Sequence, residues 1–138
     1  MTHDDQQPDN IYQTPLDEVP GFTFDGAVAR VFPDMIKRSV PGYAETVAMS
    51  GIIAGRYVKP GSNLYDLGCS LGAVTLAMRH GVQAAGDAGQ GCTITGIDNS
   101  ASMIERAEHY VALDEATVPV SMVCGDIVGF PLENASVT

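Results

Sequence analysis

Two rhythms of apolar and polar residues divide this chain, a helical one before about residue 62 and a strand–turn–helix one after it. From Phe24 the apolar positions Ala27, Val28, Val31 and Phe32 recur at three-to-four spacing, which predicts a helix. Pro33 is expected to stop that helix, or to start a short new one over "PDMIKRS", because proline lacks the N–H that a helix interior uses. "VPGY" reads as a turn. A second helix is expected from about Ala44 to Tyr57, with Val47, Gly51, Ile52 and Ala54 facing inward. Gly51 and Gly55 each weaken such a helix by roughly 1 kcal/mol relative to alanine, so they mark a close packing contact. Lys59-Pro60-Gly61 ends it.

In the second rhythm "NLYDL" is a first strand, followed by a helix from about Gly72 to His80 and a Gly-rich loop, "GVQAAGDAGQG". "CTITGID" is a second strand. Asn99 or Ser100 caps the helix "SASMIERAEHYVAL", on which Met103, Ile104, Ala107, Tyr110 and Val111 line one face. "VPVSMVCG" is a third strand, "DIVGFPLENAS" a loop, and "VT" the first residues of a fourth strand. Strands alternating with helices imply an α/β fold with a parallel sheet and right-handed crossovers. A sheet that stops as its fourth strand begins is expected to be the N-terminal half of a longer protein. Residues 1–21, polar and rich in Pro, Asp and Gln, read as a flexible acidic arm, which leaves 22–138 as the folded part.

Composition narrows the function classes. Hydrophobic residues make up 45% of the 138 and charged residues 17%, so the chain is globular and about one domain long. No apolar run reaches the 18 residues or so that a membrane span needs, and the acidic N-terminus is the opposite of a signal or transit peptide. A cytoplasmic protein without a membrane partner is expected. Net charge is −10, with five acids and no Lys or Arg in the first 20 residues, which argues against direct contact with a nucleic acid. The small basic cluster Arg30, Lys37 and Arg38 reads as a solvated helix face. Cys69, Cys92 and Cys124 form no C-x-x-C and have no His at ligand spacing, so free thiols are expected and no metal.

The turn "YDLGCSLGA" carries the chemistry. Gly68 and Gly72 let backbone N–H groups approach a ligand, and the positive end of the next helix points at the same place. A dinucleotide fingerprint would require Gly68, then glycine where Ser70 stands, then Ala73; the middle glycine lets backbone touch a pyrophosphate. The Ser70 Cβ obstructs that contact but tolerates a ligand without phosphates. Asp66 suits an ammonium group better than a dianion. Together they favour a nucleoside sulfonium amino acid of the S-adenosylmethionine type, the alternative being an ordinary tight turn. Asp98, ending the second strand, can accept from ribose hydroxyls or merely cap the next helix. Asp126 and Ile127 follow the third strand, where an acid and an N–H can meet an adenine edge, although Gly-Asp is also a common turn.

"FDGAVARVFPDMIKRSVPGY", "YDLGCSLGAVTLAMR", "GIDNSASMIERA" and "GDI…LENAS" resemble the carboxy-S-adenosyl-L-methionine synthases over about residues 22–138. The segment "VFPDMIKRSVPGY" carries most of that specificity. The resemblance implies a class I methyltransferase fold, a Rossmann-like parallel sheet with helices on both faces and additional N-terminal helices, here truncated after about three strands. It implies that S-adenosylmethionine and prephenate become carboxy-S-adenosylmethionine and phenylpyruvate. Prephenate loses its carboxyl, and the methyl sulfonium becomes a ylide that captures the carbon dioxide. A tRNA carboxymethyltransferase then uses the product at the wobble uridine, an arrangement that agrees with the acidic composition. The resemblance also implies a homodimer. Carried over by position, Tyr43, Gly68, Cys69, Ser70, Asp98, Asn99, Asp126 and Ile127 match the family's adenosyl-ligand residues; Cys69 on its own reads as a small packing residue. The acidic arm and the 81–91 loop look longer than the family's. The Arg that clamps the new carboxylate, and an Asn, are expected beyond Thr138, so the 138 residues alone are expected to be inactive. An ordinary small-molecule methyltransferase and a non-enzymatic binding module on the same fold are the other readings.

Overall fold

A sheet in strand order β1-β2-β3 carries the fold: β1 (Asn63–Leu67), β2 (Thr93–Asp98) and β3 (Val120–Cys124), all parallel. The computed structural model describes residues 26–132; the 1–21 arm and the expected fourth strand at 137–138 lie outside them. Leu64 stands opposite Ile94 and Ile94 opposite Val120; Asp66 stands opposite Gly96 and Gly96 opposite Met122. Side chains alternate along strands, so these two rows share one face. The crossover helices α3 (Ala73–Ala84) and α4 (Ala101–Leu113) cover that face, as right-handed connections between consecutive neighbouring strands require. Before the sheet come α1 (Gly26–Ser39) and α2 (Tyr43–Tyr57), α1 packing on α4 and α2 on α3. Among the described residues the helices gather on this face.

Two apolar clusters hold the layers. Ala54 of α2 and Val58, just past its end, meet Met78 and Val82 of α3 over Leu64, Ile94 and Val118. Nearer the C-terminal ends of the strands, Ala29 and Phe32 of α1 close on Leu71 and on Met103 of α4, with Met35 and Ile36 beside them. That continuous face explains the first departure from expectation: α1 runs unbroken through Pro33. The proline removes one backbone hydrogen bond, but burial on both sides of it holds the helix together. Arg38 of the basic cluster pairs with Asp34 at 3.3 Å on the exposed side, one turn away.

The second departure is on α2. Gly51 and Ala54 are buried as expected, but Ile52 is 62% exposed and points away with Ile53. Close helix contact sets this rotation. A Cβ on Gly51 would stand 2.6 Å from the Ala77 carbonyl oxygen, and one on Gly55 would stand 2.5 Å from that of Gly81. Glycines therefore face glycine and alanine across α2 and α3, and the bulky isoleucines turn outward. The third departure is that α3 continues past His80 to Ala84, and a 3-10 turn, Gly86–Gly89, fills part of the expected loop. Gly81 is kept helical by its contact with α2, and Val82 by full burial.

Arg79 ties α3 to the far side of the sheet. Its Nε donates to the Val118 carbonyl at 2.9 Å and its Nη1 to Asp114 Oδ2 at 3.1 Å, while Asp114 Oδ1 meets His80 Nε2 at 2.7 Å. Burial pushes the Asp114 carboxyl up, but His80, the Ala116 N–H and Arg79 together hold it below the usual carboxylate range.

Replacing Gly51 by alanine tests the α2–α3 contact. Overpacking costs about 1–3 kcal/mol, more than the helix-propensity gain of about 1 kcal/mol. A net loss is expected, read as a lower urea midpoint. An unchanged or higher midpoint would refute the close contact.

Candidate functional site

Where β1 ends, the chain turns through Gly68 (φ 76°), Ser70 (φ 49°) and Gly72 (φ 84°) before α3 begins. All three lie in the left-handed region, which glycine enters freely and serine does not. Backbone bonds to the end of β2 hold the turn. The Gly68 and Cys69 N–H groups both donate to the Ile97 carbonyl, at 2.8 and 2.9 Å, and the Gly72 N–H donates to the Cys69 carbonyl at 2.8 Å. The Ser70 N–H donates to Asp98 Oδ2 at 3.0 Å. Asp98 Oδ1 accepts from the Ser100 N–H at 2.9 Å, and the Asp98 carbonyl accepts from the Gly125 N–H at 2.9 Å. The ends of the three strands are thereby laced together through Asp98.

Five of the expected site residues fall along this edge in close order. Gly68, Cys69 and Ser70 form the turn and Asp98 binds it; Asn99 follows, exposed, and its carbonyl lies 3.8 Å from Cys124 Sγ. Ser100, not Asp98, caps α4, its Oγ accepting from the Met103 N–H at 3.3 Å. Asp98 is thus free of the capping duty that was its simplest alternative role. Asp126 and Ile127 stand exposed in the turn after Gly125, with Asp126 Oδ1 accepting from the Val128 N–H at 2.9 Å. Tyr43 opens α2 and is half-buried. Its phenol is pushed up by burial and then by the charge of Asp66.

The site is electronegative. Burial raises the Asp66 carboxyl above its usual range and the nearby charge of Asp98 adds to this, while hydrogen bonds from Thr75 work the other way. Cys69 is buried, and burial followed by the charges of Asp66 and Asp98 pushes its thiol up to about 12. A thiol so placed is no nucleophile at neutral pH, in keeping with a packing role. The N-terminus of α3 supplies the opposing positive end.

Sequence reasoning missed Thr75, which is fully buried and donates through Oγ1 to Asp66 Oδ2 at 2.7 Å. Its signal was a polar residue in the first turn of α3 on the side that faces the sheet. Also missed was a cavity of about 610 Å³ beside Tyr43, walled by Phe32, Ile36, Val40, Leu71 and Tyr110. It arises from the packing of α1 against the α2 and α3 starts, which local patterns do not encode.

A parallel sheet with a glycine turn after its first strand, and acids at the carboxyl ends of its next two, is a Rossmann-like α/β domain with its ligand edge in the usual place. More narrowly, residues 65–138 match the family model of the methyltransferase domain, and the chain belongs to that family. It is 59% identical over 117 residues to the carboxy-S-adenosyl-L-methionine synthase of Marinobacter nauticus, covering 85% of this chain and 45% of that protein. It is 49% identical over 130 residues to the protein of the same name from Vibrio parahaemolyticus, covering 94% and 51%. The chain thus spans about half the length of the curated relatives it matches. The fold is also that of a Methanococcus maripaludis protein crystallised as a candidate S-adenosyl-L-methionine-dependent methyltransferase, with a TM-score of 0.59 at 22% identity, over 86% of this chain and 50% of that one.

Because the Asp66 carboxyl is raised, its ionised form costs stability. That cost is absent below the ordinary carboxylate pKa of about 4 and appears as pH rises through the higher folded value. Asp66→Asn is therefore expected to raise the melting temperature by a few degrees at pH 7, with the gain vanishing near pH 4. A lower melting temperature at pH 7 would show that the carboxylate stabilises the fold instead.

Proposed function

We propose that the full-length protein is a carboxy-S-adenosyl-L-methionine synthase. The observation that carries this reading is the Ser70 N–H, committed to the Asp98 carboxylate at 3.0 Å and so withheld from a pyrophosphate. With Asp66 close by, the cradle suits a cationic nucleoside without phosphates, and S-adenosylmethionine is both. No neighbouring atom would come within 4 Å of a Cβ on Gly68, which leaves the turn open to a ligand's approach. In this reading the Asp98 carboxylate accepts from the ribose hydroxyls with Asn99 beside it. The Asp126 carboxylate and the Ile127 N–H meet the adenine edge, and Tyr43 closes over the amino-acid end. The high identity to proteins named as synthases supports the choice of reaction.

The reaction balances without an oxidant. Prephenate gives phenylpyruvate, carbon dioxide and hydroxide; the sulfonium methyl yields a proton to the hydroxide, forming water, and its carbon bonds to the carbon dioxide. The protein's part is to place the methyl, exclude water and hold the anionic product. An Arg beyond Thr138 is proposed as the product's clamp. We also propose a cytoplasmic homodimer that hands its product to a tRNA carboxymethyltransferase, a division that the net charge of −10 supports, since this protein then has no RNA to hold. No helix among the described residues is long and apolar enough to cross a membrane.

The methyltransferase-domain family match favours a second reading, an ordinary small-molecule methyltransferase. Two measurements on full-length protein separate them. A co-purifying ligand heavier than S-adenosylmethionine by one carbon dioxide is expected in the mass spectrum, and prephenate should be converted to phenylpyruvate. Finding only S-adenosylmethionine or its homocysteine product, with no phenylpyruvate above background, would leave the methyltransferase reading standing.

Asp98→Ala is expected to weaken binding of the adenosyl ligand by roughly 1–3 kcal/mol, the loss of hydrogen bonds to a charged acceptor. Titration calorimetry reads this directly, and unchanged affinity would remove Asp98 from the ligand's contacts.

A further inference from the structure

We propose that Thr75 is a positioning residue for the amino-acid end of the ligand: its hydroxyl holds the Asp66 carboxylate in one orientation, ready for the ligand's ammonium group. The inference rests on the adenosyl reading above and assigns a role to a residue outside the turn. A threonine on the first turn of a helix ordinarily returns its hydroxyl to a helix carbonyl or to solvent. Thr75 does neither. It is fully buried between α3 and the sheet, with Oγ1 2.7 Å from Asp66 Oδ2. That single bond ties the end of β1 to the first turn of α3.

The surroundings explain why that support matters. Asp66 is faced by Tyr43 from α2, by Asp98 from the end of β2, by Cys69 from the turn and by Thr75 from α3. Of these only Thr75 donates hydrogen bonds that favour the ionised carboxylate; burial and the Asp98 charge oppose it. Without the hydroxyl, Asp66 would take up a proton at higher pH, and a neutral carboxyl gives an ammonium group no charge to bind. Gly96, opposite Asp66 on β2, carries no side chain; a Cβ there would stand 2.7 Å from Met122 Cε and 3.1 Å from Thr75 Oγ1, so the glycine leaves room for both the methionine and the hydroxyl.

The test compares two probes in full-length protein by calorimetry between pH 5 and 9. S-adenosylhomocysteine carries the ammonium group; 5′-methylthioadenosine keeps the nucleoside and thioether without it. Thr75→Val is expected to weaken S-adenosylhomocysteine about tenfold at pH 7, in line with loss of a hydrogen bond to a charged group. Its affinity should begin to fall at higher pH on acidification than in the wild type. Methylthioadenosine should change less than about twofold, and Thr75→Ser should restore both the affinity and the pH profile. Equal weakening of both probes would make Thr75 a support of the turn alone and overturn the proposal, as would an unmoved profile. If Thr75→Val does not fold, Asp66→Asn carries the test: it should abolish the acid limb for S-adenosylhomocysteine only, and persistence of that limb refutes the proposal. Failure of the wild type to bind either probe would bring down the adenosyl reading, and this inference with it.

Discussion

The hydrogen bond from the Ser70 N–H to the Asp98 carboxylate is the constraint on which the rest of the edge depends. It joins positions 28 residues apart and forms only while Ser70 holds a left-handed backbone. Such a conformation costs a non-glycine residue about 1–3 kcal/mol, and a hydrogen bond to a charged acceptor returns about 1.5–3 kcal/mol, so the two nearly balance. The bond also presupposes the sheet register. Leu67 must stand opposite Ile97 for the next two N–H groups, of Gly68 and Cys69, to reach the Ile97 carbonyl. The same Asp98 receives the third strand's turn through Gly125. Register, turn and strand ends thus share one anchor.

Around that anchor the fold tolerates unfavourable electrostatics. Two carboxylates, a thiol and a phenol lie within one another's fields, and the acid at 66, the thiol and the phenol are each pushed above their ordinary values. Nothing in the packing demands Asp66; an asparagine would fill the space. The neighbouring cluster of Ala29, Phe32, Leu71 and Met103 supplies the rigidity that lets such a site persist, because the turn residue Leu71 is pinned beneath α1. Charge of one sign in a sheltered edge raises the local concentration of cations. The site's own instability is therefore consistent with a ligand that brings positive charge.

The sheet was legible in the sequence almost to the residue: "NLYDL" is β1, and β2 and β3 each lie within the segments expected for them. Short, largely apolar runs bounded by glycine or proline state a strand locally. The errors share a different cause. Pro33 inside α1, Ile52 turned outward on α2 and the extension of α3 to Ala84 all follow from contacts between helices, which no local window contains. The site divides the same way. Gly68, Ser70 and Asp98 could be read because their chemistry follows from spacing along strand, turn and strand. Tyr43 came only from family resemblance, since a tyrosine at a helix start has many uses. Thr75 escaped because its partner, nine residues back, meets it only once α3 folds onto β1.

The structure also sharpens why serine stands in the middle of the turn. Its Cβ obstructs a pyrophosphate, but the side chain matters less than the destination of the N–H. A glycine at position 70 would remove the Cβ and relieve the left-handed strain, yet the N–H would still point at Asp98. Freeing it for a phosphate would require losing the Asp98 carboxylate, and with it the proposed ribose acceptor and the lacing of the strand ends. Under the proposed reading, ligand class is set by Ser70 and Asp98 as a pair, and a change at either one alone would not convert the proposed adenosyl cradle to a dinucleotide site.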